Sequence, residues 1–166
     1  MEKRALPRYP PCFVCGRSNA AGLDVTFQVQ GREVIAELTG KAEHTGYPGI
    51  LHGGILAMLL DEAMGWAITI QTGRMLQTWE LSVRYHRPLP PGTKFRVVAE
   101  MAEDRGRFQV SRGRVEDARG EVYAKGEGKY RPIPEADEKK VLDLLERSDG
   151  TVGVGREEIA PARREP

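Results

Sequence analysis

The sequence predicts an α+β domain in which an antiparallel sheet of about six strands wraps one central helix. Three observations carry that expectation. Residues 53 to about 70 place apolar side chains at helical spacing, the segments on either side alternate apolar with polar residues, and helix and strands are segregated along the chain rather than interleaved as βαβ units.

The helix comes from the most apolar stretch, GILHGGILAMLLDEAMGWAITI, residues 49 to 70. Ile55, Leu56, Leu59, Leu60, Ala63, Met64, Ala67 and Ile68 recur every three or four residues. Met58, Trp66 and Ile70 widen the stripe until most of the circumference is apolar, so the helix needs cover on several sides.

The strands supply that cover. In LDVTFQVQ, Val25, Phe27 and Val29 alternate with Thr26, Gln28 and Gln30, and Gly31-Arg32 turns the chain into EVIAELTG to make a β-hairpin. After the helix, TWELSVRYHRPL, TKFRVVAEM, RFQVSRGRVED and EVYAKGEGKYRPI alternate in the same way. The turn signals Pro90-Pro91-Gly92, Asp104-Arg105-Gly106 and Asp117-Ala118-Arg119-Gly120 separate them.

The expected organisation is an irregular N-terminal arm over residues 1–22, one domain over 23–132, a short amphipathic helix over 133–147 and a disordered tail over 148–166. Val141, Leu142, Leu144 and Leu145 mark the apolar side of that second helix. There is no internal repeat.

With 166 residues and 40% hydrophobic content, the chain has material for one core. Its 25 basic and 24 acidic residues leave a net charge of +1, which gives no long-range field for nucleic acid or an anionic membrane. The opening MEKRALPRYPP lacks the apolar core of a signal peptide, so a cytoplasmic protein is expected. Two cysteines, Cys12 and Cys15, are too few for a disulfide framework.

Two features of the central helix suggest chemistry. Gly53 and Gly54 sit at its N-terminus, where backbone N–H groups lack intrahelical partners and suit a developing oxyanion. They serve equally for a tight loop-to-helix junction. Asp61 and Glu62 interrupt the apolar surface, where an ionised and unpaired carboxylate costs on the order of several kcal/mol. Such an acid is either functional or satisfied by a nearby backbone group or arginine. Gly53 and Asp61 are roughly 12 Å apart along one helix at about 1.5 Å per residue, too far to meet at one carbonyl. An antiparallel two-fold pair of helices brings Gly53 of one subunit to Asp61 of the other, twice.

LHGGILAMLLDEAMG, followed by TWELSVRYHRPLPPG and GEVYAKGEGKYRPI, resembles the hotdog-fold acyl-CoA thioesterases, in particular the branch typified by the phenylacetate-pathway enzyme. The resemblance covers roughly residues 12 to 132. It implies that Asp61 acts as general base or nucleophile on the thioester and that the Gly53 N–H polarises its carbonyl. It makes His52 and Gly54 the helix entry and Thr78 the hydroxyl that helps place the attacking water. It further implies sites shared across a dimer interface, dimers that often pair into tetramers, and no cofactor beyond the coenzyme A of the substrate. Related enzymes often carry Asn or Gln six residues before the histidine, where this chain has Gly46. The N-terminal CFVCGRSNAAGL resembles an arm of a bacterial subset of the family.

The remaining features are weighed against plainer explanations. Cys12-Phe13-Val14-Cys15 has half the spacing of a zinc site, and thiols packed as small apolar groups in a structural arm, with no metal, is the expectation. Arg105 and Arg107, flanking Gly106 at a hairpin tip, are candidate ligands for the phosphates of coenzyme A, or belong to a solvated turn together with the strand face of Arg112 and Arg114. Two other functions share the fold. One is a dehydratase or hydratase using His44 and Glu62, and the other is an acyl-CoA-binding protein without turnover.

Overall fold

A computed structural model describes residues 2–159. Seven strands form one antiparallel sheet in the order β1-β2-β3-β7-β8-β9-β6. Strand β1 is Arg4–Ala5, β2 Gln28–Gln30, β3 Glu33–Thr39, β6 Leu76–Tyr85, β7 Lys94–Asp104, β8 Gln109–Asp117 and β9 Val122–Pro132. A separate two-stranded hairpin, β4 (Thr45–Tyr47) and β5 (Ile50–Leu51), leads into the central helix α1, Gly53–Thr72.

Helix α1 begins where His52, in an extended conformation, accepts the Gly54 N–H on its ring nitrogen, and ends at Gly73 in the left-handed region, φ 71°. It packs on β7, β8, β6, β9 and β3. By length and apolarity it would also suit a membrane span, but half of that stretch lies inside the protein. Leu59, Leu60, Met64 and Ile68 are fully buried, each contributing about 1.5–3 kcal/mol of burial. Close approach is possible because Gly113 and Gly126 face each other across β8 and β9. A Cβ on Gly113 would stand 3.0 Å from Leu60, and one on Gly126 3.2 Å from Met64.

The outer face of the sheet carries ion pairs. Glu116 accepts from Arg96 and Arg114, and Arg112 pairs with Glu127 and Glu103. Arg112 and Arg114 therefore belong to a charged, largely solvated strand face.

The structure adjusts four expectations. Only Gln28–Gln30 of the segment 23–30 is strand, although Leu23, Val25, Phe27 and Val29 are all buried as the alternation requires. The backbone of Leu23 and Val25 donates instead to Phe13 and Val14 of the arm. The arm itself adds β1 to the sheet edge, which makes seven strands rather than about six. The helix expected over 133–147 is shorter, α2 at Glu135–Asp143, with Leu144 left exposed.

The fourth adjustment concerns the tail. Residues 148–159 are packed rather than disordered: Val154 is fully buried, and a short helix, α3, spans Arg156–Ile159. Gly73 explains the docking, since a Cβ there would come within 2.7 Å of Arg156. Glu138 of α2 adds a clasp, accepting the Met75 N–H at 2.8 Å while pairing with Arg156 at 3.2 Å. Residues 160–166 of the expected tail lie outside the described residues.

Candidate active site

Asp61 sits in the third turn of α1, facing β6 and β9. Its Oδ1 accepts the Thr78 hydroxyl at 2.9 Å and the Tyr130 hydroxyl at 3.0 Å. Tyr130 also reaches the Asp61 main-chain oxygen at 3.1 Å. Among the described residues, Oδ2 has no hydrogen-bond partner. One oxygen is thus fixed and the other is left for chemistry.

Sequence and fold place both donors. Thr78 pairs with Tyr130 across β6 and β9. The register shifts between Thr78 and Glu80, and this bulge puts Thr78 on the same side as Leu81, Val83 and Tyr85. Tyr130 is 2% exposed. Burial, with the neighbouring Asp61 charge second, pushes its phenol well above the usual tyrosine range, so it remains a proton donor. Gly128 makes room for it: a Cβ there would come 2.5 Å from the Tyr130 ring.

Asp61, Thr78 and Tyr130 line a cleft of about 380 Å³ whose other walls are mainly apolar, with Trp66, Leu76 and Leu145 among them. That volume is in the range of small-molecule sites. Among the described residues, no Lys, Arg or His lines it.

Glu62, Cys12 and Cys15 open onto the same cleft. Burial, reinforced by Cys12, pushes the Glu62 carboxyl up to about 7, against hydrogen bonds from Cys15 and Trp66. Of the two cysteines Cys12 is the one drawn toward the thiolate, by its contact with Cys15 and by backbone N–H groups, while Cys15 is driven the other way by that contact and by burial.

The helix entry forms a second locus. Gly54 donates to His52 Nδ1 at 2.9 Å, so its N–H is occupied. The Gly53 N–H has no acceptor among the described residues. Tyr85 donates to Gly53 O at 2.7 Å, which fixes the next peptide, Gly53–Gly54, from the far end of β6. Gly46 leaves room for His52, because a Cβ at that position would lie 3.0 Å from the imidazole. The Asn or Gln of related enzymes would press on the histidine in this arrangement.

Of the residues singled out from sequence, Asp61 and Thr78 meet in the cleft, whereas His52, Gly53 and Gly54 gather eight or so residues away at the helix start. Arg105 and Arg107 do not line the cleft; Arg105 donates to Glu103 at 2.7 Å, at the tip between β7 and β8. His44 and Glu62 line different cavities, so one subunit does not bring them together as the acid and base of the dehydratase reading. Sequence reasoning missed Tyr130, Tyr85 and the meeting of Glu62 with the two cysteines. The inward phase of Tyr130 in β9 and the small Gly128 beside it were the available signals.

A sheet curled on one long buried helix, with an acid in the middle of the helix and the Gly53 N–H free at its start among the described residues, fits the hotdog class. A thioesterase superfamily model matches residues 48–124. Protein RHA08564, a thioesterase superfamily protein, is 30% identical with a TM-score of 0.69 over 74% of this chain. This chain spans only 60% of that relative. The PaaI protein of the Escherichia coli phenylacetic acid degradation operon superposes with a TM-score of 0.62 at 18% identity, over 68% of this chain and 81% of its own. The smu.793 protein of Streptococcus mutans, solved with acetyl-CoA bound, gives 0.57 at 22% identity, over 61% and 81%. No curated protein matches significantly. The chain has the hotdog fold, and it is similar to thioesterase superfamily proteins, with residues 48–124 matching the superfamily model.

Proposed function

We propose that the protein is an acyl-CoA thioesterase of the phenylacetate-pathway type, hydrolysing an acyl-CoA to a free acid and coenzyme A. The observation that carries this reading is Asp61: a carboxylate in the wall of an apolar cleft, with Oδ1 tethered by Thr78 and Tyr130 and Oδ2 left unpartnered among the described residues. A base held in this way is positioned without being neutralised.

In the mechanism, Oδ2 takes a proton from water as the water oxygen attacks the thioester carbonyl. The carbonyl oxygen becomes an oxyanion, met by the Gly53 N–H of the partner subunit. Collapse breaks the C–S bond, and the departing coenzyme A thiolate receives the proton from Asp61. Direct attack by Oδ2, giving an anhydride that water then opens, uses the same residues.

Two features support a two-fold dimer. Strand β6 is a sheet edge ten residues long whose outer backbone groups are unpaired within the sheet. It carries Thr78 with Asp61 at one end and Tyr85 with Gly53 at the other. A two-fold axis near its middle therefore brings one subunit's Asp61 to the other's Gly53. Beside it, Gly54, Ala57, Met58 and Asp61 form a partly exposed stripe in which the small Gly54 and Ala57 allow a second α1 to approach. Two such dimers pair into the tetramer that the family resemblance implies.

The substrate's acyl group enters the cleft between Trp66, Leu76 and Leu145. Two carboxylates in the walls select against an acyl group that ends in another. Arg105 and Arg107 remain candidates for the phosphates of coenzyme A, with the Glu103 pairing of Arg105 to be exchanged on binding. No resident cofactor, nucleic acid or membrane enters the reading, and a cytoplasmic location fits an acyl-CoA substrate.

A panel of aliphatic and aryl acyl-CoAs, followed with a thiol reagent, tests this. Release of coenzyme A from at least one uncharged acyl-CoA is expected. Tight binding of acyl-CoAs with no release from any would instead support the binding-protein reading.

A further inference from the structure

We propose that Cys12, Cys15 and Glu62 form a three-ligand site for a divalent transition-metal ion of the Zn²⁺ class, tying the N-terminal arm to α1 and leaving one coordination position open to the cleft. The two sulfurs and a carboxylate oxygen lie within 4.8 Å of one another, and Cys12 Sγ is 3.9 Å from Glu62 Oε1. Around a tetrahedral zinc, two sulfurs and an oxygen stand roughly 3.5 to 3.8 Å apart. The observed cluster needs only a small contraction to hold an ion.

The local backbone is arranged for a thiolate. Val14 and Cys15 both donate their N–H groups to Cys12 Sγ at 3.3 Å. Such donors stabilise a negatively charged sulfur, the form that ligates a metal. Cys15 is 2% exposed and Cys12 is half-buried at the cleft wall.

Among the described residues no Lys, Arg or His lines the cleft that the three side chains share, so a cation bound there meets no competing positive charge.

Three protein ligands with an open fourth position is the arrangement of zinc sites that bind water or a small ligand rather than closed structural ones. The site also accounts for the second acid of the Asp61-Glu62 pair. Asp61 turns toward β6 and β9, while Glu62 turns toward the arm.

The test is titration of the reduced, chelator-treated full chain with Co²⁺ alone. Thiolate-to-cobalt charge-transfer absorption is expected, with visible bands of four-coordinate intensity saturating at about one ion per chain and displaced by Zn²⁺. Zn²⁺ should also raise the melting temperature, as any ligand of the folded state does. Glu62→Gln should retain the thiolate band but bind more weakly, by more than the roughly 10–100-fold that outer-shell losses cost. Absence of a thiolate band in the reduced wild type overturns the site, and the wild-type titration stands whether or not any variant folds. Equal affinity in Glu62→Gln and wild type overturns the carboxylate as a ligand.

Discussion

The Tyr130 hydroxyl, carried by β9, donates to Asp61 Oδ1 at 3.0 Å, although 69 residues separate the two in sequence. The bond joins the sheet to the middle of the central helix, at an acid that faces the cleft. It makes the orientation of Asp61 a property of the whole fold rather than of a loop.

Replacing Tyr130 with Phe keeps the ring in place and removes the donor. A hydrogen bond to a charged group contributes about 1.5–3 kcal/mol. With Thr78 still attached to Oδ1, we expect kcat to fall roughly tenfold with little change in KM, and a modest loss in melting temperature. Unchanged kcat would show that Thr78 alone orients the acid.

Gly128→Ala tests the packing behind that bond. The added methyl meets the Tyr130 ring at 2.5 Å, and the ring lies too deep to swing clear. Overpacking of this kind costs about 1–3 kcal/mol, so thermal unfolding should occur earlier and kcat should fall with it. A variant as stable as the wild type would mean that the ring has room to move.

The C-terminal segment should stabilise the fold through Gly73. Its φ of 71° disfavours a side chain, and a Cβ would press on Arg156. Gly73→Ala should therefore cost at least about 1 kcal/mol in chemical denaturation. Faster proteolysis after residue 147 would report the release of the segment itself.

Glu116 predicts an acid-sensitive share of stability. Burial alone would raise its carboxyl, but hydrogen bonds and charge from Arg114 and Arg96 outweigh burial and hold it below 4.5. Because the folded value is depressed, the contribution is fully present above about 4.5 and is lost as pH falls through the folded value. Melting temperatures of wild type and Glu116→Gln should differ at neutral pH and converge in acid. A gap that stays constant with pH would exclude this linkage.

Much of this architecture is legible in the sequence because period carries it. The helical spacing from Ile55 to Ile68 and the alternation of the four later strands mark elements that the structure places within a few residues of expectation. Alternation also marks Val25 and Phe27 as buried, but burial does not reveal which backbone a strand pairs with, and the arm takes those hydrogen bonds. The site is less visible for the same reason. Strict alternation back from Tyr85, Val83 and Leu81 would aim Trp79 inward, and the bulge reverses this, leaving Trp79 half exposed and Thr78 on Asp61. Tyr130 reads as an inward strand residue, yet no local pattern says what its hydroxyl reaches. Glu62 makes sense only once the arm has folded back onto α1.

The most direct test of the central claim is the steady-state hydrolysis of the best acyl-CoA substrate by Asp61→Asn, with its melting temperature as control for folding. Asparagine keeps the shape and can still accept from Thr78 and Tyr130, but it can neither take a proton from water nor attack the thioester. A loss in kcat of about 10²–10⁴-fold is expected, in line with removal of a positioned general base. A folded Asp61→Asn protein that hydrolyses the substrate as fast as wild type would contradict the assignment of Asp61 and the mechanism built on it.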